Sequence, residues 1–330
     1  LSSGRPSPPH ACGAGPPLSR LRERGSPSEL ADKKPSPPFG GRGQGEGGGS
    51  GGGGVAEIVF DLRGGETRLR HLYQRNPLRV LFPKPEPGDL AQAAIVTTSG
   101  GLVAGDRVAL DVTMGEGAAA HVTASAAEKI YRSLGATTEI SQHLRVASGA
   151  WLEFLPQETI LFDGARLRRD TVVALAPGAG FLGGGIVVFG RRARSERFTH
   201  GLLREAWEVH RDGELAWGDA LHLDQDIAAT IADPACFDGA AACATLILVP
   251  PILGPLGDNP RDFVDGARAV QAGLAAPGLR AGVTVVAGVL VARWLGTEAL
   301  ALRRAYGELA CHLRAAAMGL PPRLPRLWDL

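Results

Sequence analysis

Aromatic residues make up only 5% of this 330-residue chain, and its formal charge nearly cancels at +1. With few rings, core packing falls to Val, Leu, Ile and Ala, and a hydrophobic content of 44% supplies them. A near-neutral chain gives no electrostatic case for nucleic acid, whose recognition needs a basic face or stripe. Cysteine is sparse: Cys12, Cys236, Cys243 and Cys311, with no C-x-x-C spacing. The last three read as free thiols of a reducing cytoplasm, not as a disulfide framework. No apolar run reaches the roughly 18–20 residues of a membrane span. The longest runs, 281–292 and 240–256, are strand-length or broken by Pro250, Pro251 and Gly254. The N-terminus lacks the roughly 7–15-residue apolar stretch of a secretory leader. A cytoplasmic protein is expected, without membrane or nucleic-acid partners.

Signatures of catalysis are missing too. There is no Walker A sequence and no G-x-S-x-G, so Thr98-Ser99-Gly100-Gly101 is no nucleophile elbow. The eight histidines show neither H-x-x-x-H nor a clustered metal spacing. Gly178-Ala179-Gly180-Phe181-Leu182-Gly183 matches G-x-G-x-x-G letter for letter. A dinucleotide site needs a helix to begin there. Gly184 to Phe189 instead reads as a strand, so a plain turn is expected and a nucleotide-dependent oxidoreductase is not.

What is present divides the chain in two. Residues 1–54 hold nine Pro within the first 38 positions and eleven Gly among positions 40–54. Such a segment has little to bury against its ordering entropy. It reads as a disordered tail, either a genuine one or upstream sequence from a misplaced start. It carries seven Lys/Arg against four Asp/Glu, while residues 55–330 carry 28 against 30. The body is therefore slightly acidic, which suits cation handling only weakly.

From Val55 onward the texture changes. Residues 56–62 and 67–73 alternate like strands around Gly64-Gly65, as in a hairpin. Alternation resumes at 108–114 and, after a glycine turn at 115–117, at 119–124. Residues 140–146, 150–155, 159–162, 171–175, 186–189 and 203–210 follow. Short strands at close spacing argue for an all-β stack, sandwich or solenoid. Helical periodicity comes late. Residues 261–275 place Phe263, Val264, Ala267, Val270 and Leu274 on one face. Residues 298–317 do the same with Leu302, Ala305, Tyr306, Leu309 and Leu313, before Gly319 and Pro321-Pro322 stop the helix. Residues 283–294 between them read as one strand.

Three stretches are more distinctive. TTSGGLVAGD (97–106) ends in a Gly-Asp turn; AEKIYRSLG (127–135) puts Lys129, Tyr131 and Arg132 close together; LPQETILFDGA (155–165) sets Glu158 and Asp163 around an apolar patch. They form no recognisable acid/base pair. Together with LYQRNPLRVLFPKP (72–85), FGRRARSERFTHG (189–201), GDALHLD (218–224) and PRLPRLW (322–328), they resemble the UreD (UreH) family of urease accessory proteins. The similarity runs in order from about residue 56 to the end, and residues 1–54 have no counterpart.

The resemblance implies a mainly β fold, a helicoid, solenoid-like stack of short strands with two helices and a strand in the C-terminal portion. It implies a non-catalytic chaperone that binds the urease apoprotein with UreF-type and UreG-type partners, UreG being the GTPase, and helps insert nickel. No tightly bound cofactor is expected, only Ni²⁺ in transit. Well-spaced carboxylates would let that ion move on where a thiolate or multi-His site would hold it. Asp106, Asp219 and Glu158 are the candidates for this path. Lys129, Tyr131, Arg132, Asp163 and Trp328 are the candidates for partner contact. One departure stands out: Gly185 occupies a position that is usually acidic in the family. From the residues alone, a β-rich interaction module of another pathway is the alternative.

Overall fold

A computed structural model describes residues 53–328. The expected N-terminal tail lies outside the described residues, except for Gly53 and Gly54, which open the first strand. The chain begins with a hairpin, β1 (Gly53–Arg63) and β2 (Glu66–Arg75), followed by β3 (Leu78–Leu81). Gly64 and Gly65, with φ of 60° and 81°, make the turn, as a two-residue type I′ connection requires. The chain then winds through β4 (Ala91–Thr97), β5 (Arg107–Met114), β6 (Ala119–Ala124), β7 (Glu128–Ile130), β8 (Thr138–Val146), β9 (Trp151–Phe154), β10 (Thr159–Leu161), β11 (Arg166–Leu175), β12 (Gly180–Phe189) and β13 (Leu202–Arg211).

Each turn of this winding adds a parallel strand to each of two sheets, at the usual spacing of roughly 4.8 Å. In the first sheet β1, β5, β8, β11 and β13 run parallel, with β2 at one edge and β14 (Glu214–Leu223) at the other. In the second sheet β4, β6, β9 and β12 run parallel. The short strands β7 and β10 form a separate ladder onto the second half of β12. The expected solenoid-like stack is therefore the architecture found.

The burial pattern follows from the layers. Strand β1 alternates, sending Ala56, Ile58 and Phe60 inward and keeping its other face wet. Strands β9 and β12 are buried on both faces because they lie between the first sheet and the C-terminal helices. One apolar core fills the space between the sheets, built on residues such as Phe60, Val122, Phe154, Leu167 and Val209. A second covers the outer face of the second sheet with Trp151, Leu246, Trp294, Tyr306, Leu309 and Leu313.

The C-terminal portion comprises α1 (Ile227–Ala232), β15 (Ala242–Val249), α2 (Val264–Gly273), β16 (Leu279–Val286), β17 (Val289–Gly296) and α3 (Ala299–Met318). The two expected helices are α2 and α3, and every apolar position read for α3 is buried. Gly319 ends it with φ 66°, its N–H bonding the Ala315 carbonyl. Two details correct the expectation. Residues 283–294 are not one strand: Ala287 and Gly288 adopt φ of 46° and 80° and fold them into a β16–β17 hairpin. The apolar run continues through that turn, which hides it from a periodicity reading. The short helix α1, capped by Asp226 through the Ala229 N–H, and the additional strand β15 also join this region.

The G-x-G-x-x-G run lies at the start of β12, where no helix begins. Cys243 and Cys311 are free thiols, whereas Cys236 is disulfide-bonded, against the reading of three free thiols. Among the described residues no helix is long and apolar enough to cross a membrane.

Candidate functional site

The three distinctive stretches stack on one corner of the winding. The Leu102 N–H bonds the Lys129 carbonyl at 2.8 Å, and the Tyr131 N–H bonds Leu102 at 2.9 Å. The Phe162 N–H reaches Ile130 at 3.0 Å, and the Gly190 N–H reaches Leu161 at 2.9 Å. Consecutive coils thus place Leu102, Tyr131, Phe162 and Arg191 over one another. Gly101 permits the approach, since a Cβ there would lie 2.6 Å from the Tyr131 ring. Tyr131 packs edge-on against Phe162 at 4.9 Å and donates its hydroxyl to the Gly100 carbonyl. The Arg191 guanidinium sits 4.0 Å over the other ring.

Asp163 accepts hydrogen bonds from the Thr199 N–H at 2.7 Å and the Thr199 hydroxyl at 2.9 Å, with His200 at 3.1 Å. Partial burial would raise its carboxyl, but these bonds and His200 together hold it below the ordinary value. Asp106, one loop away, accepts from the Val103 N–H at 2.9 Å and so closes its own turn. Lys129 and Arg132 are exposed at the same corner.

Behind the corner a file of polar groups runs between the sheets. The Glu128 carboxylate accepts from the Thr97 hydroxyl at 2.5 Å. Burial raises its pKa, with Thr97 and Arg169 pulling the other way. Arg169 donates to the Thr159 hydroxyl at 2.8 Å and to Glu205 at 2.7 Å. The indole N–H of Trp207 donates to the other Glu205 oxygen at 3.3 Å. Gly185 faces this pair: a Cβ there would stand 3.3 Å from Glu205 Oε1. Beyond Glu205 lies the Cys243 thiol, pushed far up by burial and by the charges of Glu205 and Asp219. Asp219 ends the file, in a crevice of about 410 Å³, ion-paired with Arg293 at 2.7 Å.

The third grouping anchors the C-terminus. Glu158 accepts from Arg303 at 3.1 Å, and Gln157 donates to the Leu327 carbonyl at 2.8 Å. Arg303 lies 4.8 Å over the Trp328 ring, which stacks on Tyr306 at 5.8 Å. The Trp328 indole N–H is shared between Thr123 and Leu155, each at 3.2 Å. Deeper still, His121 contacts Glu153 at 2.7 Å, Glu153 takes Arg314 at 3.0 Å, and Arg314 reaches Asp89 at 2.5 Å.

Lys129, Tyr131, Arg132 and Asp163 are therefore brought together, with Asp106 beside them. Asp219 lies at the opposite edge of the sandwich. Glu158 and Trp328 meet through Arg303, and Trp328 is buried. Among the described residues no three His, Cys, Asp or Glu side chains gather closely enough to hold a metal ion. The sequence reading gives no site role to Glu128, Arg169 or Glu205. Strand parity carries a signal for two of them: Arg169 shares the inward parity of Leu167 and Val173, and Glu205 that of Leu203 and Val209.

These features define a wound, two-sheet β protein whose distinctive motifs gather on one corner and whose charged residues penetrate its core. The family model for the UreD urease accessory protein matches residues 53–329. UreD of Magnetococcus marinus is 42% identical over 279 residues, spanning 84% of this chain and 94% of that protein. UreD of Methylobacterium sp. strain 4-46 is 42% identical over 268 residues, 81% and 90% of the two chains. UreD of Rhodopseudomonas palustris strain BisA53 is 40% identical over 280 residues, 83% and 90%. The chain belongs to the UreD urease accessory protein family.

Proposed function

We propose that the chain is a non-catalytic chaperone of urease maturation, one that binds the urease apoprotein together with UreF-type and UreG-type partners and assists nickel insertion in the cytoplasm. The family match, which spans every described strand and helix, supports the maturation role. The observation that carries the nickel reading is the file of polar groups from Thr97 and Glu128 through Arg169 and Glu205 to Asp219. A buried charge is costly unless paired, so a row of them through an otherwise apolar core calls for a reason beyond stability. Each carboxylate along it is shared with a hydroxyl or a cation, which suits brief oxygen ligation better than retention.

The three carboxylates read from the sequence enter this proposal unequally. Asp219 stands at the open end of the file. Asp106 is committed to its own turn and Glu158 to Arg303. Nickel is cargo here, and no tightly bound cofactor or catalytic step is assigned to the chain.

Co-expression with urease subunits and the two accessory partners tests the scaffold: the full chain is expected to co-purify with them. Asp219→Ala is expected to assemble as the parent does while activating less urease. Full activation by assembled Asp219→Ala and Glu205→Gln would remove the file from the nickel route. Failure of the parent chain to bind any of these proteins would remove the scaffold role.

A further inference from the structure

The corner where the motifs stack carries more positive charge than its immediate surroundings answer. Lys129 and Arg132 project from one coil, and Arg191, Arg192, Arg194 and Arg197 from the loop after β12. That loop is laid directly on the coil below. The Glu196 carboxylate receives the Asp163 N–H at 2.9 Å, the Gly164 N–H bonds the His200 carbonyl at 3.0 Å, and the Ser133 N–H bonds Gly164 at 3.0 Å. The six cations are therefore carried on neighbouring, mutually bonded segments.

Among the described residues only Arg191 has an ion-pair partner there, Glu196. Of the other nearby acids, Asp163 is held by Thr199 and His200, and Asp106 is buried and accepts the Val103 N–H. Glu128, below Lys129, is largely buried and turned to Thr97. Five exposed cations are left without a carboxylate. A solvated charged face normally intersperses both signs, as the outer face of the first sheet does with Arg107–Glu139, Arg168–Asp170 and Asp111–Arg145. The corner departs from that pattern.

A second feature sits beside the charge. Leu134 is 96% exposed at the tip of the loop that follows Arg132, and Val103 is 50% exposed on the neighbouring coil. The Ser133 hydroxyl bonds the Ala136 carbonyl and receives the Gly135 N–H, so the tip is a formed turn. An exposed apolar knob flanked by cations fits a protein surface better than a phosphate backbone. The rings that might stack on bases, Tyr131 and Phe162, are occupied with each other and with Arg191.

We infer that this corner is a docking surface for an acidic protein segment bearing one or two apolar side chains, which meet Leu134 and Val103 while its carboxylates meet Lys129, Arg132 and Arg192 to Arg197. The inference rests on the scaffold reading and names the chemistry of one of its contacts. Charge pairing at such a rim acts mainly on encounter and specificity, and salt screens it.

The test titrates urease apoprotein, the UreF-type partner and the UreG-type partner separately against the immobilised full chain at about 50 and 300 mM salt, over which the Debye length shortens about 2.4-fold. A 20-nucleotide single strand serves as the competing class. Two variants are compared, R192E/R194E/R197E and R192K/R194K/R197K, after their melting temperatures are matched to the parent. The expected result is that one of the three proteins binds the parent with strong salt dependence, loses at least tenfold in affinity for the glutamate variant, and keeps most of it for the lysine variant. If all three proteins bind the glutamate variant as they bind the parent, the docking surface is overturned while the scaffold reading stands. If the oligonucleotide binds more tightly than any protein and is the ligand lost in the glutamate variant, a nucleic-acid surface replaces the one inferred. If the parent binds none of the three proteins, both readings fall.

Discussion

Gly184 and Gly185 are neighbours in β12 under opposite constraints. A Cβ on Gly184 would stand 2.0 Å from the Thr245 carbonyl oxygen and 2.9 Å from both the Leu246 Cα and the Tyr306 hydroxyl. Backbone on an adjacent strand cannot yield cheaply, so Gly184→Ala is expected to destabilise by about 1–3 kcal/mol or more. On Gly185 the nearest atom is the Glu205 carboxylate at 3.3 Å, a side chain able to shift by a few tenths of an ångström. Gly185→Ala is expected to cost under about 1 kcal/mol. Denaturant titration of the two variants compares them; equal losses would contradict the packing described. At Asp106 the carboxylate satisfies the Val103 N–H, so Asp106→Ala is expected to cost about 1–2 kcal/mol, chiefly through that unpaired donor. The Asp106 turn was legible because Gly-Asp before a strand is a turn signal in itself. Arg169 and Glu205 were not: their strand parity points inward, but nothing in the local pattern shows the partner that pairs each charge across the core. Glu153 was not, because its side of the sheet reads as outward until the helix carrying Arg314 is known to cover it.

At the scale of elements, most strands announced themselves through period-two alternation and glycine breaks, and α3 through its 3–4 spacing, whereas β3, β4, β7, β14 and β15 were not read from the sequence. Which strands pair was hidden, since parallel neighbours here come from successive coils tens of residues apart, such as β8 and β11. The β16–β17 hairpin was hidden by an apolar run that continues through its turn. The seating of α3 was hidden as well, because it depends on single buried ions. Arg314 on α3 is fully buried and shared between Glu153, Asp89 and the carbonyls of Pro321 and Arg323. Burial alone would raise the Glu153 carboxyl, but His121 and Arg314 outweigh it and hold the pKa below the ordinary 4.5. The sign follows directly: with the folded value depressed, the stabilisation is complete above the unfolded-state pKa and is lost as pH falls through the folded one. Glu153→Gln is expected to cost about 3–5 kcal/mol near neutrality by stranding a buried cation. The gap between parent and variant melting temperatures should narrow as pH drops below 4.5; a gap independent of pH would mean that Glu153 is not ionised in the fold. Trp328, stacked on Tyr306 beneath Arg303, fixes the end of the chain, and Trp328→Ala is expected to cost about 3–5 kcal/mol.

The described residues form three layers: a wet-faced sheet, a second sheet whose central strands are buried on both sides, and helices over it. The winding brings motifs separated by tens of residues onto one corner and leaves a charged file through the middle. The polar groups divide between an exposed basic corner and an interior row, the two features on which the proposed contact with other proteins and passage of a small ion rest. That division makes the maturation role separable from folding. The most direct measurement is nickel-dependent activation of urease apoprotein co-expressed with the UreF-type and UreG-type partners, with the full chain present, absent or replaced by Asp219→Ala. The account predicts co-purification of the chain with the apoprotein, low activity and low bound nickel without the chain, and an assembled but poorly activating Asp219→Ala complex. Full activation and full nickel loading in the absence of the chain would contradict it.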